Sequence, residues 1–309
     1  MSGAPSVPMI RQTAGPVAAR SAARRRNLPG RNGVGAERRP RWLTYVLLGL
    51  ALLVSAYPLY FAVLLASSTS AQIAQNPIPS LIPGGELVAN LRRVLESDID
   101  LWRAILNSIV VSSATAVSVV MFATLAGYSF AKLRFRGRRP LLVFVIATMA
   151  VPTQLGVVPL FIVMRELGLV GSLWAVILPG MVTAFGVFWM TQYLESALPY
   201  ELIEAARVDG ASMIRTFWSV ALPAARPAAA MLGLFTFIAS WTNFFWPSIV
   251  LGTTNPTLPV ALQLLQAGFF KDIALIMAGV VISIVPLVVL FVVAGRQLVA
   301  GIMQGAVKG

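Results

Sequence analysis

The chain has 309 residues, 58% of them hydrophobic and 11% charged, with a mean hydropathy of +0.81; soluble domains carry about a quarter charged residues, so an ordinary soluble fold is excluded. Cysteine and histidine are both absent, which removes disulfide frameworks, Cys/His zinc sites, thiol nucleophiles and histidine-based triads together. The net charge of +13 would suggest nucleic acid in a soluble protein, but here the placement of the charges decides its meaning.

Residues 1–41 are rich in Arg, Ala, Gly and Pro, lack apolar periodicity, and are expected to form a disordered basic tail. From residue 42 onward the chain reads as a membrane domain. A helix needs roughly 20 apolar residues to cross the hydrocarbon core, because it rises about 1.5 Å per residue and its backbone finds no water there. Six windows meet that demand, at 42–67, 104–131, 140–164, 171–194, 227–251 and 273–295, and none contains an acidic residue. After the fifth window, Asn255, Pro256, Thr257 and Pro259 break an uncharged stretch before another span forms, so an external loop is expected there. The fold class is thus an all-α polytopic membrane protein of about six transmembrane helices.

Six spans sort the basic residues by side. One side receives nine arginines from the tail, five basic residues from 132–139, three from the loop 195–226 and two from the C-terminal end; the other keeps Arg92, Arg93, Arg103, Arg165 and Lys271. Basic residues are retained in the cytoplasm, which predicts both termini there and explains the net charge without nucleic acid.

No ionisable residue lies at mid-span, which disfavours proton- or ion-coupled transport through this chain alone. The spans instead carry neutral polar groups such as Asn107, Ser108, Ser112, Thr115 and Thr183, able to bond a hydroxylated solute or to tie helices together. Residues 241–247 are denser: Trp241, Asn243 and Trp246 combine indole donors, an amide and aromatic faces, the chemistry that stacks on a sugar ring. The same residues suit an aromatic belt with a proline kink at Pro247. These three are the candidate residues of a solute path.

Between the fourth and fifth windows lies a short helix with both ends written in. Pro199 suits its first position, Glu201 and Glu204 lie toward its positive end, and Gly210 suits a left-handed stop. A second helix is expected over 211–222, capped by Ser212, with an apolar stripe of Met213, Ile214, Phe217, Trp218, Ala221 and Leu222, before Pro223 and Pro227 redirect the chain into the fifth span. Small Ala205 and Ala206 beside carboxylates permit close backbone approach, so the first helix can seat in a groove of another protein or stand as a solvated loop.

Glu204-Ala205-Ala206, then Gly210, then Leu222-Pro223 resembles the EAA loop of bacterial ATP-binding-cassette import permeases. Further segments resemble the branch for sugars of the maltose type: Asn107-Ser108, the stretch Leu125 to Lys132 with Phe135 to Arg138, Pro152 with Pro159-Leu160, Ser240 to Phe244, and the tail Gly301 to Gly309. Two departures stand out, Trp-Thr-Asn-Phe where the family more often has an acidic residue just after a Trp-Asn pair, and a longer arginine-rich tail. The resemblance implies a coupling helix at Glu204, Ala205, Ala206 and Gly210, bound by an ATPase subunit that holds ATP and Mg. It also implies a second homologous permease, an extracytoplasmic sugar-binding protein and a bacterial inner-membrane location. The chain has no Gly-x-x-x-x-Gly-Lys-[Ser/Thr] phosphate cradle, so it is expected to be a non-catalytic transport subunit without a cofactor of its own. The alternatives are import of another solute, such as glycerol phosphate or a polyamine, and a self-sufficient secondary carrier, against which the lack of an internal repeat counts.

Overall fold

The computed structural model describes residues 42–76, 78, 80–266 and 272–306; the basic tail expected over 1–41 lies outside them. Among the described residues there is no strand. Contacts divide the chain into two units at Ala56/Tyr57. The helix α1, Trp42–Ala66, runs through that boundary. Its residues up to Ala56 leave their apolar side chains exposed, as a membrane-facing segment would.

Within the second unit follow the short helices α2 (Ser70–Gln75) and α3 (Leu87–Leu95), neither expected from the sequence. The central helix is α4, Leu101–Lys132, whose first turn is capped by Asp100 accepting the Arg103 N–H at 3.1 Å. It packs against α8 (Ala184–Ala197) and α11 (Leu222–Trp241), and these three form the core with Val119, Ala123, Met190, Leu194, Ala228 and Leu232. Gly127 makes the α4–α8 approach possible. A Cβ there would stand 2.8 Å from the Met190 carbonyl carbon and 2.9 Å from the Thr191 nitrogen, so only glycine lets the backbones come this close.

Among the described residues four helices are long and apolar enough to cross a membrane: α1, α4, the continuous helix Met213–Trp241, and α14 over Ile273–Val293 of its full extent Ile273–Ala306. The stretches expected as the third and fourth spans are each two helices. α5 (Arg138–Thr148) and the segment Thr153–Glu166, which ends in α6 (Val157–Glu166), meet at 89°. Pro152 causes the break: it lacks a donor, sits at ψ 124°, and biases Val151 away from the helical region. α7 (Trp174–Gly180) and α8 meet at a milder 40°, after Pro179-Gly180, with extended Thr183 restarting the helix by accepting the Gly186 N–H at 3.1 Å. Counting each bent pair as one span gives six.

The fifth span also differs from the expected 227–251. It begins at Met213 and ends at Trp241, and a separate short helix, α12 (Phe245–Val250), follows. Pro223 and Pro227 do not redirect the chain. Just before them, residues Phe217–Ala221 form a π turn in which the Leu222 N–H reaches the Phe217 carbonyl. That extra residue per turn moves the carbonyl with which the Pro223 ring would otherwise clash, and the helix continues, carrying Pro227 within it. The loop after α12, expected to be external, holds a buried helix, α13 (Leu258–Leu264).

Candidate functional site

The acidic-alanine segment forms α9, Tyr200–Val208. Pro199 occupies the position before the first helical residue rather than the first itself, with ψ 143°. Glu201 lies in the first turn and Arg207 in the last, each matching the helix dipole. The end is a Schellman motif: the Gly210 N–H bonds to the Arg207 carbonyl at 3.0 Å and the Ala211 N–H to the Ala206 carbonyl at 2.9 Å, with Gly210 left-handed at φ 75°. Ser212 then caps the next turn, α10 (Met213–Thr216), by accepting the Arg215 N–H at 3.3 Å.

One side of α9 is fixed and the other is free. Ile203 is fully buried in the core formed by α4, α8 and α11, whereas Glu201, Leu202, Glu204, Ala205 and Gly210 are exposed and Ala206 is half-buried. The structure thus brings Glu204, Ala205, Ala206 and Gly210 onto one short element whose anchor, Ile203, the sequence reading did not single out. Its signal was weak, since Ile203 is one of two adjacent apolar residues, Leu202 and Ile203, between Glu201 and Glu204, and only the second is buried. Around this element the loop 132–139 closes in: the Lys132 ammonium donates to the Glu195 carbonyl at 3.0 Å, and the Arg134 guanidinium lies 5.7 Å from the centre of the Tyr200 ring. The stripe expected over 213–222 divides, with Phe217 and Ala221 buried and Met213, Ile214 and Trp218 exposed.

The residues proposed for a solute path are not brought together as a set. Trp241 is buried, at 2% exposure, and its indole N–H donates to the Ser283 carbonyl of α14 at 3.2 Å. Trp246 is half-buried and donates to the Ala175 carbonyl of α7 at 2.9 Å. Both indoles therefore spend their only donor on tying helices together. Asn243 differs. It lies in the break between α11 and α12, half-buried, and its side-chain amide has no hydrogen-bond partner among the described residues. Several other polar groups of the spans tie the structure together, whereas the buried Ser112 and Thr115 hydroxyls have no partner among the described residues. Asn107 donates to the Pro256 carbonyl at 3.0 Å and Ser108 accepts the Leu258 N–H at 2.7 Å, pinning α4 to the loop after α12, while Thr124 and Thr191 bond back to their own helices.

The end of the molecule opposite α9 carries a polar clasp absent from the sequence reading. Asn90, on α3, donates to the Ala66 and Ser68 carbonyls, and Asp272 accepts from Ser70, Arg93 and the Leu275 N–H. Nearby in the same unit, Arg103 donates to Asn255, whose amide in turn reaches the Gly171 carbonyl at 2.8 Å. These contacts fasten α3, α14 and the loops around α13, at the end away from the exposed α9.

The model of the family described as binding-protein-dependent transport system inner membrane component matches residues 120–300. The arabinooligosaccharides transport system permease protein AraQ of Halalkalibacterium halodurans is 31% identical over 270 residues, 87% of this chain and 96% of that protein. The sn-glycerol-3-phosphate transport system permease protein UgpE of Brucella abortus is 28% identical over 280 residues, 87% of this chain and 98% of that protein. Among solved structures, a chain of a bacterial ABC transporter involved in the import of the acidic polysaccharide alginate superposes with a TM-score of 0.68 at 26% identity, covering 82% of this chain and 94% of that one. The matched region begins inside α4 and takes in α9, the π turn and most of α14, and the chain belongs to the family of binding-protein-dependent transport system inner membrane components, the non-catalytic, multi-pass permease subunits of ATP-binding-cassette importers.

Proposed function

We propose that this permease passes a sugar or oligosaccharide across the membrane and that α9 is the element through which a separate ATPase dimer, holding ATP and Mg, drives it. A second homologous permease completes the path and an extracytoplasmic binding protein delivers the solute. The observation that carries the reading is the asymmetry of α9: Ile203 is locked into the helical core while Glu204 and Ala205 face outward. A force on the exposed face is transmitted through Ile203 to α4, α8 and α11, because a close-packed core shifts as a body rather than yielding locally. The distribution of Lys and Arg supports placing α9, the loop 132–139 and both termini in the cytoplasm.

A sugar is supported by the arabinooligosaccharide permease among the relatives and by the alginate importer among the structures. The half-buried Asn243 amide, without a side-chain partner among the described residues, is the contact for a hydroxylated solute. The test is reconstitution of the importer in proteoliposomes with its binding protein. Glu204→Lys and Gly210→Pro are expected to abolish ATPase association and nucleotide-driven uptake; both surviving intact would remove α9 from the mechanism. Uptake of glycerol phosphate instead of sugar by the same vesicles would replace the solute and leave the coupling role standing.

A further inference from the structure

We infer that the groove between α4 and α10 holds one acyl chain of an anionic phospholipid from the leaflet on the α9 side. The groove has a volume of about 330 Å³ and is lined almost wholly by apolar atoms. Its walls are Met121, Phe122, Leu125 and Tyr128 of α4 facing Ile214 and Trp218. Along α4 it reaches from Met121 to Leu133, which at 1.5 Å per residue is about 18 Å, close to the half-thickness of the hydrocarbon core. An acyl chain of one leaflet has that length and that chemistry.

The mouth of the groove selects the headgroup. Leu133 and Ile214 line the groove, and the residues that follow them in the chain are Arg134 and Arg215, both exposed. Neither guanidinium forms an ion pair or donates a hydrogen bond among the described residues, and stacking of Arg134 on Tyr200 holds it in place while leaving its N–H edges free. Five basic residues lie between 132 and 139. A phosphate at this level meets unpaired, partly ordered donors, and each basic group near a membrane surface strengthens the binding of an anionic lipid several-fold. Occupancy would also matter to α10, whose Ile214 wall continues directly from the Gly210 stop of α9.

The test purifies the chain, with the subunits that accompany it, into nanodiscs of equal phosphatidylglycerol and phosphatidylcholine, and reads retained lipid by native mass spectrometry. It uses neither solute nor ATP, so its outcome is separate from that of the transport reading. The expected result is phosphatidylglycerol retained over phosphatidylcholine by about tenfold. Leu125→Trp, which fills the groove, should remove the retained lipid, and the surface pair Arg134→Gln with Arg215→Gln should keep a lipid but bring the ratio near one. A ratio near one in the native protein, or undiminished retention in Leu125→Trp, would overturn the inference. So would a benzoylphenylalanine placed at Phe122 that cross-links to another protein chain instead of to lipid.

Discussion

Arg93 donates to Asp272 at 2.6 Å, joining α3 to the residue just ahead of α14 across 179 positions of sequence. Burial raises the Asp272 carboxyl, but the Leu275 N–H, the Ser70 hydroxyl and the Arg93 guanidinium together outweigh it and hold the group below its ordinary value. A carboxylate depressed in the folded state stabilises the fold at any pH above its unfolded value of about 3.9, and loses that contribution as pH falls through the folded value. The difference in melting temperature between native protein and Asp272→Asn should therefore be constant from pH 7 to 5 and shrink below about pH 4. At neutral pH the substitution is expected to cost about 1–2 kcal/mol, read by thermal unfolding in detergent.

Gly127→Val should be among the most damaging single changes in the core. A side chain there meets the backbone of Met190 and Thr191, which cannot rotate away as a side-chain tip would. The expected cost is about 1–3 kcal/mol, with α4 and α8 forced apart. The melting temperature should fall, and cross-links between cysteines introduced at Thr124 and Val187 should slow.

Gly210 is constrained differently. No atom lies within 4 Å of a Cβ built there, so Gly210→Ala meets no clash and pays only for its left-handed φ of 75°, about 1 kcal/mol. Proline, fixed near φ −65°, cannot adopt this conformation at all. Alanine should leave ATPase association measurable and proline should remove it. Equal losses in pull-down assays would show that the Schellman stop is not what positions α9.

The sequence made some of this legible and not the rest, for physical reasons. The boundaries of α9 were readable because proline, acidic residues and glycine act locally, through φ restriction, dipole and handedness. The membrane class was equally plain from charge-free windows. The breaks within the third and fourth windows were signalled by Pro152 and Pro179-Gly180, yet hydropathy averages over them and reports one span. The continuity of Met213–Trp241 through two prolines was hidden, since a π turn is a matter of hydrogen-bond register that side-chain identity does not announce. The clasp of Asn90, Arg93 and Asp272 joins Asn90 to carbonyls 22 and 24 residues away and Arg93 to a carboxylate 179 residues away, and has no local signal.

Trp241 and Asn243, two residues apart, should separate on mutation. Trp241 fills the core and donates to the Ser283 carbonyl, so Trp241→Phe removes a buried hydrogen bond and some packing at about 1–2 kcal/mol, and lowers thermal stability. Asn243 bonds nothing among the described residues through its side chain, so Asn243→Ala should leave the melting temperature close to native. If its amide contacts a hydroxylated solute, losing a hydrogen bond worth about 1 kcal/mol lowers uptake by roughly fivefold, with ATPase association unchanged. Uptake at native rates in Asn243→Ala, with the protein folded, would place the solute path on another face. The pairing matters because a loss of transport in Trp241→Phe alone would report only a loosened core.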